Sequence, residues 1–574
     1  METHLDKSKK GFSRVFKGSM LLGMALLAIL LAACSNGSGN ATTPSTSNAQ
    51  HVLTVVSSPN GDFTENYNPL LPNGNGNNLT GTDGLIYETL SFYNQMKAGA
   101  VSPMLATSQT LSTDGKTATF HLRSGVQWSD GQPFTSADVV FTINYIIQHA
   151  ADGVDIQGLK SFVKSVTAPD ASTVVVTFNA PSATNMWYLA GQTYIMPQHI
   201  WQNISTPKTE ANTNPVGTGP YTLKSFSPQV YKFVKNTKYW GSTPLKVNEV
   251  DFLAYASNTA AQTAISTGSV DWAGLYLANV NQVYVSRDPS HNQSYQPGNN
   301  ITVLMLNLTK PMFQDINVRK AISAALNRAQ YSTVAETGQE QVSNPTGLLL
   351  PNFQSLLDPS ITQTFGAGQP TQSATLLQAS GWAKDSNGYF AKAGKELEFS
   401  LLAPSGWSDW NQMQTLIASD LKAAGIKVDV QEPQTPDWYS KVGVGSYDAT
   451  INYSSHGPSP YYFYNSILNS TFSAPIGKSA TTNFERWNDP TTDKLLNDFA
   501  NTTDANKQQQ DLNGLEQIMV NQLPVIPMLY GADWDERTTS RFTGWPTAAN
   551  PYAQPAPFDA PDIELTIENL TPVA

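Results

Sequence analysis

Cysteine is the scarcest residue of this chain, with Cys34 alone in 574 residues. A single thiol forms no internal disulfide and leaves no second thiolate for a zinc site. Histidine is sparse too, seven residues scattered with no pair at the spacing of helical ligands, so the sequence offers no metal site and no cofactor motif. Charged residues make up 13%, about half of the usual ~25%. Within that small total 44 acids face 33 bases, a net charge of −11. Such a surface repels a polyanion, which excludes nucleic acid as a partner. Asn, Gln, Ser and Thr fill the polar positions, a neutral surface suited to an unusual exterior such as an acidic one. Catalytic motifs are missing as well: there is no His-Glu-x-x-His and no Gly-x-Ser-x-Gly, and neither 115–117 nor 477–479 has the leading glycine of a Walker A loop.

Long apolar runs are also absent, and the one run near the start is informative for being short. Lys7, Lys9, Lys10, Arg14 and Lys17 precede an apolar stretch at 20–33 that ends in small residues. A membrane span needs ~20 apolar residues, so 1–33 reads as a secretory signal peptide. The sequence Leu-Ala-Ala-Cys at 31–34 resembles the bacterial lipobox, in which the cysteine is acylated and becomes the mature N-terminus. Lipidation explains an unpaired exported thiol at Cys34 and predicts membrane attachment through lipid. Residues 35–50 contain only Ser, Asn, Gly, Ala, Thr, Pro and Gln and cannot build a core. With Cys34 they form a flexible tether, 34–50, of roughly 20 to 24 Å reach, and folded structure is expected from 51.

Along the body the hydrophobic period switches between two and 3.6. Strands are predicted at 117–123, 173–178, 301–308, 397–403 and 426–430, and a hairpin at 221–226 and 230–235. Thr135 with Asp138 three residues on is a capping box for a helix burying Val139, Val140, Ile143, Ile146 and Ile147. Asp315 caps a second helix, and a third spans 409–424 with Gly425 past its end. Beyond 300 the alternation of strand and helix is βαβ grammar, an α/β sheet flanked by helices. Gly217-Thr-Gly219 lacks the third glycine and following helix of a dinucleotide loop and reads as a tight turn. Trp128 and Asp130 read as packing and turn residues.

Several segments together resemble family 5 extracytoplasmic solute-binding proteins, the receptors of dipeptide, oligopeptide, nickel and some oligosaccharide ABC importers. They are Pro-Met-Leu-Ala-Thr at 103–107, the stretches 114–131 and 134–140, Pro-Val-Gly-Thr-Gly-Pro-Tyr at 215–221, 236–240, 315–322 and 523–528. The resemblance implies a two-lobed periplasmic-binding-protein fold of the large class II type, with hinge strands and a ligand cleft between lobes. Lobe I would be 51–300 with 531–574 returning to it, and lobe II 301–530. It also implies a permease and a separate ATPase subunit as partners, a monomeric receptor, and no catalysis.

The ligand class stays open between oligopeptide and oligosaccharide. Peptide-binding relatives carry an Asp shortly after the segment matching Tyr447-Asp448-Ala449, to pair with the peptide amino group. Here no Asp or Glu occurs between Asp448 and Glu485. The segments holding Trp407 and Trp410, Tyr453, Tyr461 and Tyr464, and Trp545 instead resemble the oligosaccharide-binding branch, where flat rings take the C–H faces of sugars. Trp272 is a candidate from lobe I. Each of these seven aromatics has two readings, platform or core. Two other classes are the alternatives: a nickel-chelate receptor, with His456 in the candidate loop, and a secreted lipoprotein glycoside hydrolase using Asp409 with Asp533, Asp535 or Glu536.

Overall fold

The alternating pattern at 117–122 becomes the strand Thr117–Leu122, with Ala118, Phe120 and Leu122 turned into a core. The computed structural model describes residues 51–573 apart from 60, 73–77, 98, 351 and 456. The leader, Cys34 and its tether, and His456 therefore lie outside the described residues. Residues 49–574 group as one compact unit.

Within it three sheets carry the architecture. A seven-stranded sheet runs, in spatial order, Asn292–Ser294, Glu536–Thr538, Trp272–Ala273, Val52–Val56, Glu249–Leu253, Val230–Lys235 and Tyr221–Ser227. A four-stranded antiparallel sheet, Ala106–Leu111, Thr117–Leu122, Thr173–Phe178 and Val163–Asp170, joins it in lobe I. Helix Ser136–Gln148 lies over the smaller sheet, and its N-terminus is closed by the Thr135 and Asp138 capping box. Val139, Ile143 and Ile146 enter the core with Phe120, Val174 and Val176, while Val140 and Ile147 sit at its margin.

Lobe II is built on a five-stranded sheet in the order Lys427–Gln431, Glu398–Leu402, Ala449–Ser455, Gly298–Leu306 and Ile526–Ala532. Its first two strands are parallel and joined through helix Ser408–Ala423, the βαβ unit read from the sequence. Gly425, at φ 85°, follows the helix end in the left-handed region that a side chain disfavours. Gly298–Leu306 is central, antiparallel to both neighbours. Residues 301–306 are buried without a break because both faces of the sheet are covered.

The chain crosses between the lobes at 295–297 and again at 533–535. The crossings pair with each other: Tyr295 N–H donates to the Asp535 carbonyl at 2.9 Å and Asp533 N–H to the Pro297 carbonyl at 2.8 Å. The boundaries expected at 300/301 and 530/531 fall inside strand ends instead. Ladder pairing continues through Gly298 with Ala532 and Asn300 with Gly531, although the apolar pattern begins only at Ile301.

Candidate ligand site between the lobes

A cavity of about 340 Å³ lies beside the crossings, at the small end of the ~300–1,000 Å³ range of ligand pockets. Its polar lining is amide and phenol: Gln296, Gln339, Gln341, Asn352, Tyr295 and Tyr530. Met96, Leu349 and Leu350 supply apolar surface, and among the described residues the lining contains no Asp, Glu, Lys, Arg or His. The amides are already oriented. Gln296 Nε2 donates to Gln339 Oε1 and to Glu536 Oε1, both at 2.8 Å. Gln339 Nε2 reaches the Leu277 carbonyl at 3.0 Å, and Tyr530 Oη accepts from Asn344 N–H at 3.0 Å. A polar set fixed in this way meets a ligand without reordering itself, which lowers the entropic cost of binding.

Beyond the crossings the lobes touch at several places, so the arrangement is closed: Tyr276 Oη donates to the Ala335 carbonyl at 2.6 Å and Asn279 N–H to Thr337 Oγ1 at 3.1 Å. Tyr462 Oη donates to the Thr184 carbonyl at 2.6 Å, and its ring lies 4.4 Å from Trp187 and 5.3 Å from Tyr188. Asn465 Nδ2 also reaches Tyr188 Oη at 3.2 Å. Elsewhere, Asn258, at the start of helix Asn258–Ser266, donates through its backbone N–H to the Gly406 carbonyl at 3.3 Å and through Nδ2 to Asp409 Oδ1 at 3.2 Å.

None of the seven aromatics expected as platforms lines the hinge cavity. Trp407, Trp410 and Tyr453 do come together, in a cluster with Trp438 and Tyr439. Trp407 and Trp410 are 5.0 Å apart, Trp410 and Tyr453 6.3 Å, and Tyr439 Oη and Tyr453 Oη 3.4 Å. Tyr453 is 40% exposed, and Trp407 is partly buried with its Nε1 unpaired. Trp410 is itself buried in the lobe II core, and the other four are core as well. Trp272 is fully enclosed and donates to Asp535 Oδ1 and the Pro555 carbonyl. Trp545 packs edge-on to it at 5.3 Å and donates to the Phe542 carbonyl. Tyr461 stacks on Phe499 at 5.0 Å, and Tyr464 donates to the Thr346 carbonyl. The platform reading fails for them because their faces are covered by packing, and three of the four have a polar tip satisfied inside the protein.

The cavity amides went unread because Gln and Asn carry no motif. The one available signal was the run Gly-Gln-Glu-Gln at 338–341, polar yet placed between apolar segments.

The carboxyls named for a hydrolase do not face the cavity either. Asp409, Asp533, Asp535 and Glu536 are all buried, and none lines it. Burial pushes the Asp535 carboxyl up to about 7 although Arg537 pulls it down, and pushes Glu536 up to about 8. A glycosidase needs two carboxyls on either side of a bound sugar. Among the described residues no group of three His, Cys, Asp or Glu is placed to hold a metal ion, and no helix is long and apolar enough to cross a membrane.

Comparison with known proteins identifies the family and the fold. The model of the bacterial extracellular solute-binding proteins, family 5, matches residues 100–474. Protein XP55 of Streptomyces lividans is 28% identical over 408 residues, 70% of each chain. The oligopeptide-binding protein of Bacillus subtilis is 24% identical over 479 residues, covering 78% of this chain and 83% of its own. Among solved structures, a periplasmic oligopeptide-binding protein of Thermotoga maritima with bound mannohexaose superposes with a TM-score of 0.85. It is 24% identical and covers 91% of this chain and 99% of that one.

Proposed function

The chain belongs to the family 5 bacterial extracellular solute-binding proteins, and from that premise we propose that it captures a short, uncharged oligosaccharide between its lobes and delivers it to an ABC importer. The observation that carries this reading is the lining of the hinge cavity. A zwitterionic peptide brings two charges that a cleft must pair, since an unpaired charge removed from water is costly. A cavity of glutamine, asparagine and tyrosine offers none, whereas hydroxyl groups find both donors and acceptors there. The mannohexaose held by the Thermotoga relative supports the same class. Tyr453 and Trp407 remain proposed contacts for sugar rings extending beyond the cavity. Peptide is the second reading, favoured by the Bacillus subtilis relative.

A thermal-shift screen with manno- and cello-oligosaccharides, short peptides, and nickel with and without a chelator separates these classes. A ligand at a hundred times its Kd adds ~2.7 kcal/mol to native stability. The expected result is a rise in midpoint with oligosaccharides alone. A rise with peptides alone rejects the sugar reading, and a rise with nickel chelate alone rejects both. The receptor is further proposed to be held at the outer face of the cytoplasmic membrane by lipid on Cys34. Cys34→Ser is expected to abolish labelling by a fatty-acid analogue and release the protein to the medium, and retained label would reject the anchor.

A further inference from the structure

The polarity of the hinge cavity is set from outside it, by two backbone carbonyls. A carbonyl oxygen only accepts, so Gln339 has to turn its Nε2 toward the carbonyls of Leu277 and Glu336, at 3.0 and 3.2 Å. Thr337 Oγ1 accepts from the same nitrogen at 2.9 Å. Gln339 Oε1 is thereby turned the other way, toward Gln296. It accepts from Gln296 Nε2 at 2.8 Å, and the second hydrogen of that amide goes to Glu536 Oε1 at 2.8 Å. Both donors of Gln296 are engaged inside the protein, and the atom left for the cavity it lines is its oxygen. The order of orientation runs from backbone through Gln339 to Gln296, whatever the charge on Glu536.

Tyr530 presents the reverse polarity. Its oxygen accepts from Asn344 N–H at 3.0 Å, and Leu350 N–H faces it as well. With its lone pairs occupied, the phenol has its hydrogen to offer the cavity. The orienting contacts also span the cleft. Leu277 belongs to lobe I and Gln339 to lobe II, and beside them Asn279 N–H of lobe I donates to Thr337 Oγ1 at 3.1 Å.

We propose that Gln339 is a positioning residue that holds Gln296 Oε1 as a fixed acceptor, so that the site selects a solute whose hydroxyl donates to Gln296 while another of its oxygens accepts from Tyr530. This role rests on the oligosaccharide reading above and deepens it, because it assigns a direction to the hydrogen bonds the site reads. An amide free to turn over would offer N–H or C=O as the solute required, and would tolerate loss of the solute's hydrogen. A fixed amide leaves its oxygen without a donor when that hydrogen is missing, which costs affinity.

The test is calorimetric titration of the protein with mannotriose and cellotriose, and with forms of each in which one hydroxyl at a time is replaced by fluorine. Fluorine keeps the size of the group and removes the donated hydrogen. At least one position is expected to weaken binding by about tenfold. In Gln339→Leu the parent sugar is expected to bind more weakly and the penalty at that position to shrink to about twofold, because the Gln296 amide is free to turn. Tyr530→Phe is expected to weaken the parent while the penalty stays near tenfold, since it removes a different hydrogen bond. If the parent binds and every fluorinated form binds equally well, the role of Gln339 is rejected while the oligosaccharide reading stands. An undiminished penalty in Gln339→Leu rejects it too. If neither trisaccharide binds, the oligosaccharide reading fails and this role with it. The fluorine series on the unaltered protein needs no variant, so it can overturn the proposal even where Gln339→Leu does not fold.

Discussion

A methyl group added at Gly217 would sit 1.8 Å from the carbonyl oxygen of Ile86, and one at Gly219 2.5 Å from that of Leu85. The motif expected to form a tight turn is thus a place where two backbones meet, with Ser129 N–H donating to the Gly217 carbonyl at 2.9 Å. Gly217→Ala should destabilise by about 2 kcal/mol, at the scale of overpacked sites, measured as a lower denaturant midpoint. An unchanged midpoint would mean that the two segments can separate without loss. Trp128 matches its sequence reading, fully buried and edge-on to Phe134 at 5.9 Å, and Asp130 Oδ1 accepts from Gln132 N–H within the turn. Site residues were less legible. Aromatic side chains attract attention in a sequence, yet Trp272 and Tyr464 end in cores because burial satisfies them equally well. Trp272→Ala should cost about 3–5 kcal/mol of stability, a loss a dispensable surface platform would not show. Gln339→Ala removes hydrogen bonds to Gln296 and the Leu277 carbonyl worth about 1 kcal/mol each, so the melting midpoint should fall and, with the lining no longer oriented, sugar affinity should weaken by about five- to tenfold. Unchanged affinity would move the site away from this cavity.

At the scale of elements, local chemistry determined most boundaries. The hairpin at 221–235 forms with Tyr221–Ser227 against Val230–Lys235, as its period and its Ser-Pro-Gln turn suggest. The caps of Thr135 and Asp315 hold in the structure, Asp315 accepting from Asn317 N–H at 2.9 Å. Thr135→Ala should cost about 1 kcal/mol, and an equal loss from Asp138→Asn would follow if the box acts as a pair. What the sequence left unread is non-local. Gly298 to Asn300 carry no apolar signal, but Ile526–Ala532 pairs with them across more than two hundred positions. The pairing of the crossings depends on that register, and no window of sequence contains both strands.

The described residues form a closed pair of lobes held at the crossings, by Tyr276 on Ala335, by Tyr462 on Thr184 and Trp187, and by Asn258 at the start of helix Ser408–Ala423. The two-lobed architecture was legible from ordered motifs and βαβ grammar, whereas the cavity was not, because it is assembled from five separated segments. Buried carboxyls occur in both lobes, Asp83 and Glu516 among them. Burial raises Asp83 to about 8 and Glu516 to about 7. Both shifts are upward from the unfolded values, so their stabilisation is present in acid and is lost as pH rises through about 7 to 8. Global stability should accordingly be greater at pH 5 than at pH 8 in chemical denaturation, the reverse of a protein whose acids are salt-bridged. A cavity lined without charge is proposed to take a solute without charge. That match is tested most directly by calorimetric titration of the solute giving the largest thermal shift, at low salt and at about 1 M, where screening shortens to about 3 Å. The two affinities are expected to agree within about twofold, and a tenfold loss at high salt would show that an ion pair anchors the ligand.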